Sequence, residues 1–252
     1  MPVQGAIGAD MDIVAKGPAD IERAYDSYYS RMAEHFIEQL GTTHIDLILE
    51  AGCGRGQLTV PLLRRLPKKV RMMAVDSSTG PYAGWLDDLV SKLRTAGVES
   101  RVQILEADAR RMGEVEDKSV DVVVSNELLC DLIPEAQLEM AMREFFRILR
   151  PGGTMVHGEW SSYTENSSQS FLVKHWPTWT PDQLHFMMGK TGFRNFSVTY
   201  FDTTIRFGHR AALEELRSWG APRGFFRQNE KWVRRYGIRL PFEHVIRCEK
   251  AS

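Results

Sequence analysis

Two hydrophobic periods alternate along this chain. Ile21, Tyr25, Tyr28, Met32, Phe36 and Leu40 recur at three- and four-residue steps, which predicts a helix from Asp20 to about Leu40 with Gly41 as its stop. The apolar run Ile45–Leu49 then predicts a strand that enters Gly52, Gly54 and Gly56. After those glycines, Leu58, Pro61, Leu62, Leu63 and Leu66 return to the helical period. Val70–Val75 reads as a second strand, ending at Asp76, and Tyr82–Thr95 as a helix stopped by Gly97. Val102–Leu105 is a third strand, ending near Asp108, and Val120–Ser125 a fourth, apolar as befits a strand covered on both faces. Gln137–Leu149 is helical, and Pro151-Gly152-Gly153 turns the chain into a fifth strand, Thr154–Trp160. Strands and helices in this rhythm predict a parallel sheet with right-handed crossovers.

The rhythm changes after Trp160. A polar stretch, residues 161–170, precedes a helix at Pro181–Lys190 capped by Thr180, and Phe196–Phe207 alternates like one long strand. Residues 209–236 are helical in period, interrupted by Gly220-Ala221-Pro222 and Gly224, and Phe242–Cys248 is a last strand. The expected fold is therefore α/β: a doubly wound, seven-stranded, mostly parallel sheet with an antiparallel last strand pair and a helical C-terminal insertion. Residues 1–19 read as a flexible tail, 20–160 as the core, and 161–252 as the rest of the same domain, with the insertion at about 161–195 and 208–240.

The bulk numbers narrow the class. With 252 residues, 43% hydrophobic, 26% charged and a net charge of −1, the chain is an ordinary globular protein and not a polyelectrolyte. Cys53, Cys130 and Cys248 lie far apart without metal-ligand spacing, which suggests a reducing compartment and a cytoplasmic protein. No run approaches the roughly 18 apolar residues of a membrane span, and the N-terminus lacks a basic region followed by an apolar core. His157, His175, His185 and His209 are scattered, so no metal is expected.

In a doubly wound sheet the ligand lies where the first and fourth strands diverge. That places the turn Glu50-Ala-Gly52-Cys-Gly54-Arg-Gly56 opposite Ser125, Asn126 and Glu127. Asp76, about 20 residues past the turn, is positioned to accept both hydroxyls of a ribose. Asp108 could accept from an adenine amino group or cap a helix. Position 57 is Gln, where a dinucleotide fingerprint would carry Gly or Ala.

Taken together, Glu50–Gly56, Val75-Asp76, Glu106-Ala107-Asp108, Asp121–Asn126 and Leu149–Gly153 resemble, in order and separation, the motifs of class I S-adenosylmethionine (SAM)-dependent methyltransferases. The resemblance covers about residues 20–160 and extends to the final strand pair. It implies SAM as methyl donor, S-adenosylhomocysteine (SAH) as product, and no metal. It also implies site roles. Gly52, Gly54 and Gly56 let the backbone approach the cofactor, and Glu50 faces its amino-acid end. Asp76 and Ser77 hold the ribose, Asp108 and Ala109 lie near adenine, and Asn126 lies near the methionine moiety. Tyr28, with Tyr25 and Arg31, would close over the site; core packing is the alternative for these three.

The acceptor is less legible. The Asn/Asp-Pro-Pro-Tyr/Phe motif of base N-methyltransferases is absent after Val124. Glu127, the candidate catalytic residue, and Glu135 loosely resemble the two-glutamate loop of protein arginine methyltransferases, although Asn126 stands where the first glutamate would be. His157 and Glu159 end the fifth strand, as a candidate base or as packed residues. Between Arg206 and Arg239 nine basic residues face three acids, with aromatics interleaved. Such a segment can contact nucleic acid, cap a small acceptor, or simply pack its aromatics and solvate its arginines. A small-molecule acceptor is expected first, a protein second and nucleic acid below both. A non-catalytic SAM-binding module and a dinucleotide oxidoreductase are the remaining readings. The oligomeric state has no signal.

Overall fold

The computed structural model describes residues 12–41, 44–77 and 79–251. In chain order the elements are β1 (Ile13–Ala15), α1 (Ile21–Gln39), β2 (Leu47–Ala51), α2 (Thr59–Arg65), β3 (Arg71–Asp76), α3 (Trp85–Ala96), β4 (Val102–Glu106), β5 (Val120–Asn126), α4 (Glu135–Ile148) and β6 (Leu149–Trp160). They continue with α5 (Ser167–His175), α6 (Pro181–Thr191), β7 (Phe193–Phe201), β8 (Ile205–Phe207), α7 (His209–Ser218), α8 (Arg223–Tyr236), β9 (Ile238–Arg239) and β10 (Glu243–Lys250).

Seven strands form the main sheet in the order β4-β3-β2-β5-β6-β10-β7. β4 through β6 run parallel, and β10 pairs antiparallel with both β6 and β7. The chain winds outward from β2 in one direction and from β5 in the other, so the topological switch lies between them. Successive side chains on a strand point to opposite faces. Ile48 and Val122 thus pack with Phe36 and Leu62 under α1 and α2, while Leu49 and Val123 pack with Met142 and Phe145 under α4. Both faces are covered, which explains why β5 is apolar with little alternation.

Asp121 is the polar exception in β5. Its Oδ2 accepts the backbone N–H groups of Asp46 and Leu47, both at 2.9 Å, and Arg150 donates to its Oδ1 at 2.5 Å. One carboxylate therefore fastens the starts of β2, β5 and β6. The Pro-Gly-Gly turn passes so close to β5 that a Cβ on Gly153 would lie 3.0 Å from the Asp121 carbonyl oxygen.

Four local expectations change. Residues 1–11 of the expected tail lie outside the described residues, while Ile13–Ala15 form β1. The alternating run Phe196–Phe207 is two strands, because the chain leaves the main sheet at Asp202–Thr204. β8 then joins a second, three-stranded sheet in the order β1-β8-β9. The polar stretch at 161–170 contains the start of α5, whose N-cap Asn166 accepts from Ser168 and Gln169, both at 3.0 Å. The helical run 209–236 divides into α7 and α8 around Trp219–Pro222. The small sheet with α5, α7 and α8 forms a cap over the carboxyl edge of β2, β5 and β6.

Candidate active site at the carboxyl edge of the sheet

A cavity of about 1110 Å³ opens between that edge and the cap. Its wall takes in Tyr28, Glu50, Gly52, Gly54, Asp76, Ser77, Asp108, Ala109, Asn126 and Glu127, ten of the eleven residues expected there. Gly56 is the exception. Its φ is +75°, and a Cβ there would collide with Leu89, so it seats the turn on α3 behind the cavity wall. The turn is tied to β3: Gly52 and Cys53 both donate to the Val75 carbonyl, at 2.8 and 3.0 Å, and Gly54 donates to Asp76 Oδ2 at 2.8 Å.

Glu50 carries the clearest electrostatic signal. It is buried, its Oε2 has no hydrogen-bond partner, and burial pushes its pKa up to about 8. Thr59 holds part of that shift back and the charge of Asp76 adds to it. A buried carboxylate with one oxygen unsatisfied is costly to ionise unless a cation meets it, and the ammonium end of SAM is such a cation. The residues present therefore fit this cofactor. Because the folded-state pKa lies above the ordinary value of 4.5, folding binds a proton, and this group lowers stability as pH rises from about 4.5 through 8. Glu50→Gln is expected to raise the melting temperature of the apo protein at pH 8.5 by about 2–4 °C and to change it little at pH 5. The same substitution should weaken SAH binding at least about tenfold. Thermal melts at the two pH values, with a titration of SAH, check both; equal melting shifts at the two pH values would refute the assignment.

Asp108 is already engaged. The Arg110 backbone N–H and Nε each donate to its Oδ1 at 2.8 Å, and this pairing holds its carboxyl below the usual range. It caps no α-helix and instead orders the turn after β4. On α1, Tyr25 donates to Glu215 at 2.8 Å and Tyr28 donates to Glu243. Both rings line the cavity from buried or half-buried positions, whereas Arg31 is not on its wall.

Glu127 ends up with partners different from those expected. Glu135 sits exposed in the first turn of α4, where a carboxylate suits the helix N-terminus, and does not line the cavity. The Glu127/Glu135 pair therefore does not form. Glu127 instead clusters with Glu159 at the end of β6 and Glu243 at the start of β10. It does so at φ +51°, its N–H donating to the Gly158 carbonyl at 2.9 Å. Glu159 accepts from the Cys130 N–H at 3.0 Å and the Trp160 N–H at 3.2 Å, and its Oε2 lies 3.4 Å from His157 Nε2. Burial and the neighbouring carboxylates Glu243 and Glu159 push Glu127 well above the usual carboxylate range. Burial, held back by the Tyr28 hydroxyl, takes Glu243 to about 7. His157 is fully buried against Ser125 Oγ at 2.8 Å and is a packed strand-end residue.

Sequence reasoning missed Glu243 altogether. Its only signal is the pairing of β10 with β6, which sets Glu243 opposite Trp160. The basic-aromatic segment packs its aromatics inward: Phe225, Trp232 and Trp219 meet Phe171, His175 and Trp176. Arg223, Arg227, Lys231, Arg234 and Arg235 face solvent. Trp160, Trp176 and Trp219 reach the cavity wall. Among the described residues no group of three His, Cys, Asp or Glu could hold a metal ion, and no helix is long and apolar enough to cross a membrane.

Comparison with known proteins agrees with this architecture. Residues 48–153 match the family described as a methyltransferase domain. An uncharacterized methyltransferase of Schizosaccharomyces pombe is 30% identical over 137 residues, which is 54% of this chain and 48% of that protein. The malonyl-[acyl-carrier protein] O-methyltransferase of Priestia megaterium is 28% identical over 152 residues, 56% of this chain and 49% of that protein. The chain thus spans about half the length of these curated relatives. The crystal structure of YcgJ from Bacillus subtilis superposes with a TM-score of 0.67 at 14% identity, covering 89% of this chain and 99% of that one. Fold and domain match converge on one segment: residues 48–153, which carry the glycine turn, Asp76, Asp108 and Asn126, are similar to a methyltransferase domain.

Proposed function

We propose that this protein is a SAM-dependent methyltransferase whose acceptor is a small molecule held between the sheet edge and the C-terminal cap. The observation that carries the reading is the buried carboxylate of Glu50, whose Oε2 has no hydrogen-bond partner, beside a glycine turn that Asp76 holds in place. When bound, SAM supplies an electrophilic methyl group on a sulfonium sulfur. In this reading Glu50 takes the ammonium, Asp76 and Ser77 take the ribose hydroxyls, Asp108 and Ala109 border the adenine, and Asn126 borders the methionine chain. Gly52 and Gly54 leave room for the backbone to approach, and Tyr28 closes the wall from α1. Residues 20–160 then form the cofactor-binding core, and residues 161–252 complete the domain with the substrate cap. The cap aromatics exclude water and position the acceptor, which supplies much of the acceleration for a one-step displacement. Glu127 is the group placed to receive a proton. A deep cavity between the sheet edge and the cap suits a small acceptor, and Glu135, which the arginine reading needs, faces elsewhere. The three free cysteines, two of them buried, suit the reducing cytoplasm.

Calorimetric titration with SAM, SAH and NADH tests the reading. We expect micromolar binding of both adenosyl ligands and none of NADH. Binding of NADH alone, or of none of the three, would overturn it.

A further inference from the structure

Across the sheet the cavity wall follows the strand order: Asp108 after β4, Asp76 on β3, Glu50 on β2, then Glu127 after β5 and Glu159 on β6. Beyond Glu159 the wall becomes aromatic. The Trp160 and Trp219 rings lie 5.6 Å apart between centroids, and Trp176 and Trp219 lie 5.7 Å apart. Glu127 and Glu159 therefore stand on the wall between the proposed donor lobe and an indole-lined lobe, with Glu243 buried behind them.

Two polar atoms mark this junction. Glu243 Oε2, on a fully buried residue beside Asn126, and Nε1 of Trp160, turned toward Glu127, complete no well-formed hydrogen bond. Glu243 Oε2 also crowds the face of Gly158, where a Cβ would approach it to 2.8 Å. Among the described residues no lysine or arginine pairs with any of the three carboxylates, and the three do not converge as metal ligands do. Three acids gathered at the wall of a cavity, with no lysine or arginine to neutralise them and only His157 near Glu159, favour a cation from outside the chain. Indole faces beside them add cation–π attraction for a nitrogen cation.

We propose that the methyl acceptor is a small amine, with its nitrogen held by Glu127 and Glu159 and its body against Trp160, Trp176 and Trp219. This rests on the SAM-dependent reading above. The amine arrives protonated and gives one proton to a carboxylate of the cluster, which exposes its lone pair. That lone pair forms the new N–C bond to the methyl carbon, and the S–C bond breaks with its electron pair going to sulfur. The positive charge thus passes from sulfur to nitrogen beside the acids, the product leaves as the methylated ammonium, and the protonated carboxyl group returns its proton to water. An anionic or carboxylate acceptor would meet repulsion at the same place.

The test uses the full chain loaded with SAH, titrated with phenethylamine, phenethyl alcohol and phenylacetate, which share a body and differ in charge. 1,4-Diaminobutane serves as a second amine. At least one amine is expected to bind about tenfold or more tighter than the alcohol, with phenylacetate weaker still. Glu127→Gln should reduce the amine's advantage about fivefold or more while SAH binds within about threefold of the unaltered protein. Equal affinity for amine and alcohol, preference for phenylacetate, binding of no amine, or an undiminished advantage in Glu127→Gln would each overturn the proposal. If SAH itself fails to bind, the SAM-dependent reading falls, and this inference with it. The charge series on the unaltered protein stands even if the variant does not fold.

Discussion

Replacing Asp76 with alanine is expected to weaken SAH binding about 100-fold, equivalent to about 3 kcal/mol. Two losses combine. The carboxylate ends β3 on the cavity wall, where it can accept from ribose hydroxyls, and hydrogen bonds to a charged group contribute about 1.5–3 kcal/mol each. It also accepts the Gly54 N–H at 2.8 Å, so its removal slackens the turn that the cofactor must lie against. Asp76→Asn keeps one acceptor oxygen and should lose less. The side chain is only half-buried, so the fold should survive with its melting temperature nearly unchanged. Calorimetry of the variant against SAH decides the matter, and an affinity within about threefold of the unaltered protein would remove Asp76 from the site.

The largest expected effect on stability lies far from that turn. Gly237 ends α8 at φ +67° and ψ −160°, a backbone region that side chains hardly enter. A Cβ there would also collide with the Phe207 carbonyl oxygen, in the β8–β9 ladder. Strain and collision together should make Gly237→Ala cost about 3 kcal/mol, lowering the melting temperature by about 6–12 °C. Gly220→Ala is the control. Gly220 also has positive φ, +75°, but a Cβ there meets nothing within 4 Å, so it should cost only about 1–2 kcal/mol. Thermal melts of the two variants check the difference. Equal shifts would mean that the close approach of Gly237 to Phe207 contributes nothing.

Much of the cofactor side was legible in the sequence because its signals are local. The glycine turn, Asp76 and Asp108 each follow directly on a strand whose apolar run is readable, and topology alone brings strand ends together at the switch point. Glu50 could be placed there, but its burial and missing partner could not. The acceptor side depends on long-range pairing. Glu243 reaches Glu127 only because β10 turns back antiparallel on β6, and no spacing near residue 243 announces that. Three-residue strands such as β1 and β8 are too short to show a period. Phe196–Phe207 misled for a related reason: its alternation continues through the break at Asp202–Thr204, although its two parts serve different sheets. Gly56 illustrates a subtler limit, since a glycine required for packing and one required by a ligand look alike in a motif.

The ladder between β1 and β8 joins segments about 190 residues apart, a pairing that loop-closure entropy makes late in folding. With three residues in each strand it is also a weak one. The small sheet of the cap is thus held by short ladders, three residue pairs between β1 and β8 and two between β8 and β9, so local melting would open the cap without a hinge. Turnover would then be paced by how often that short ladder melts, which links the kinetics of acceptor exchange to temperature and denaturant in the same way as the protein's own stability.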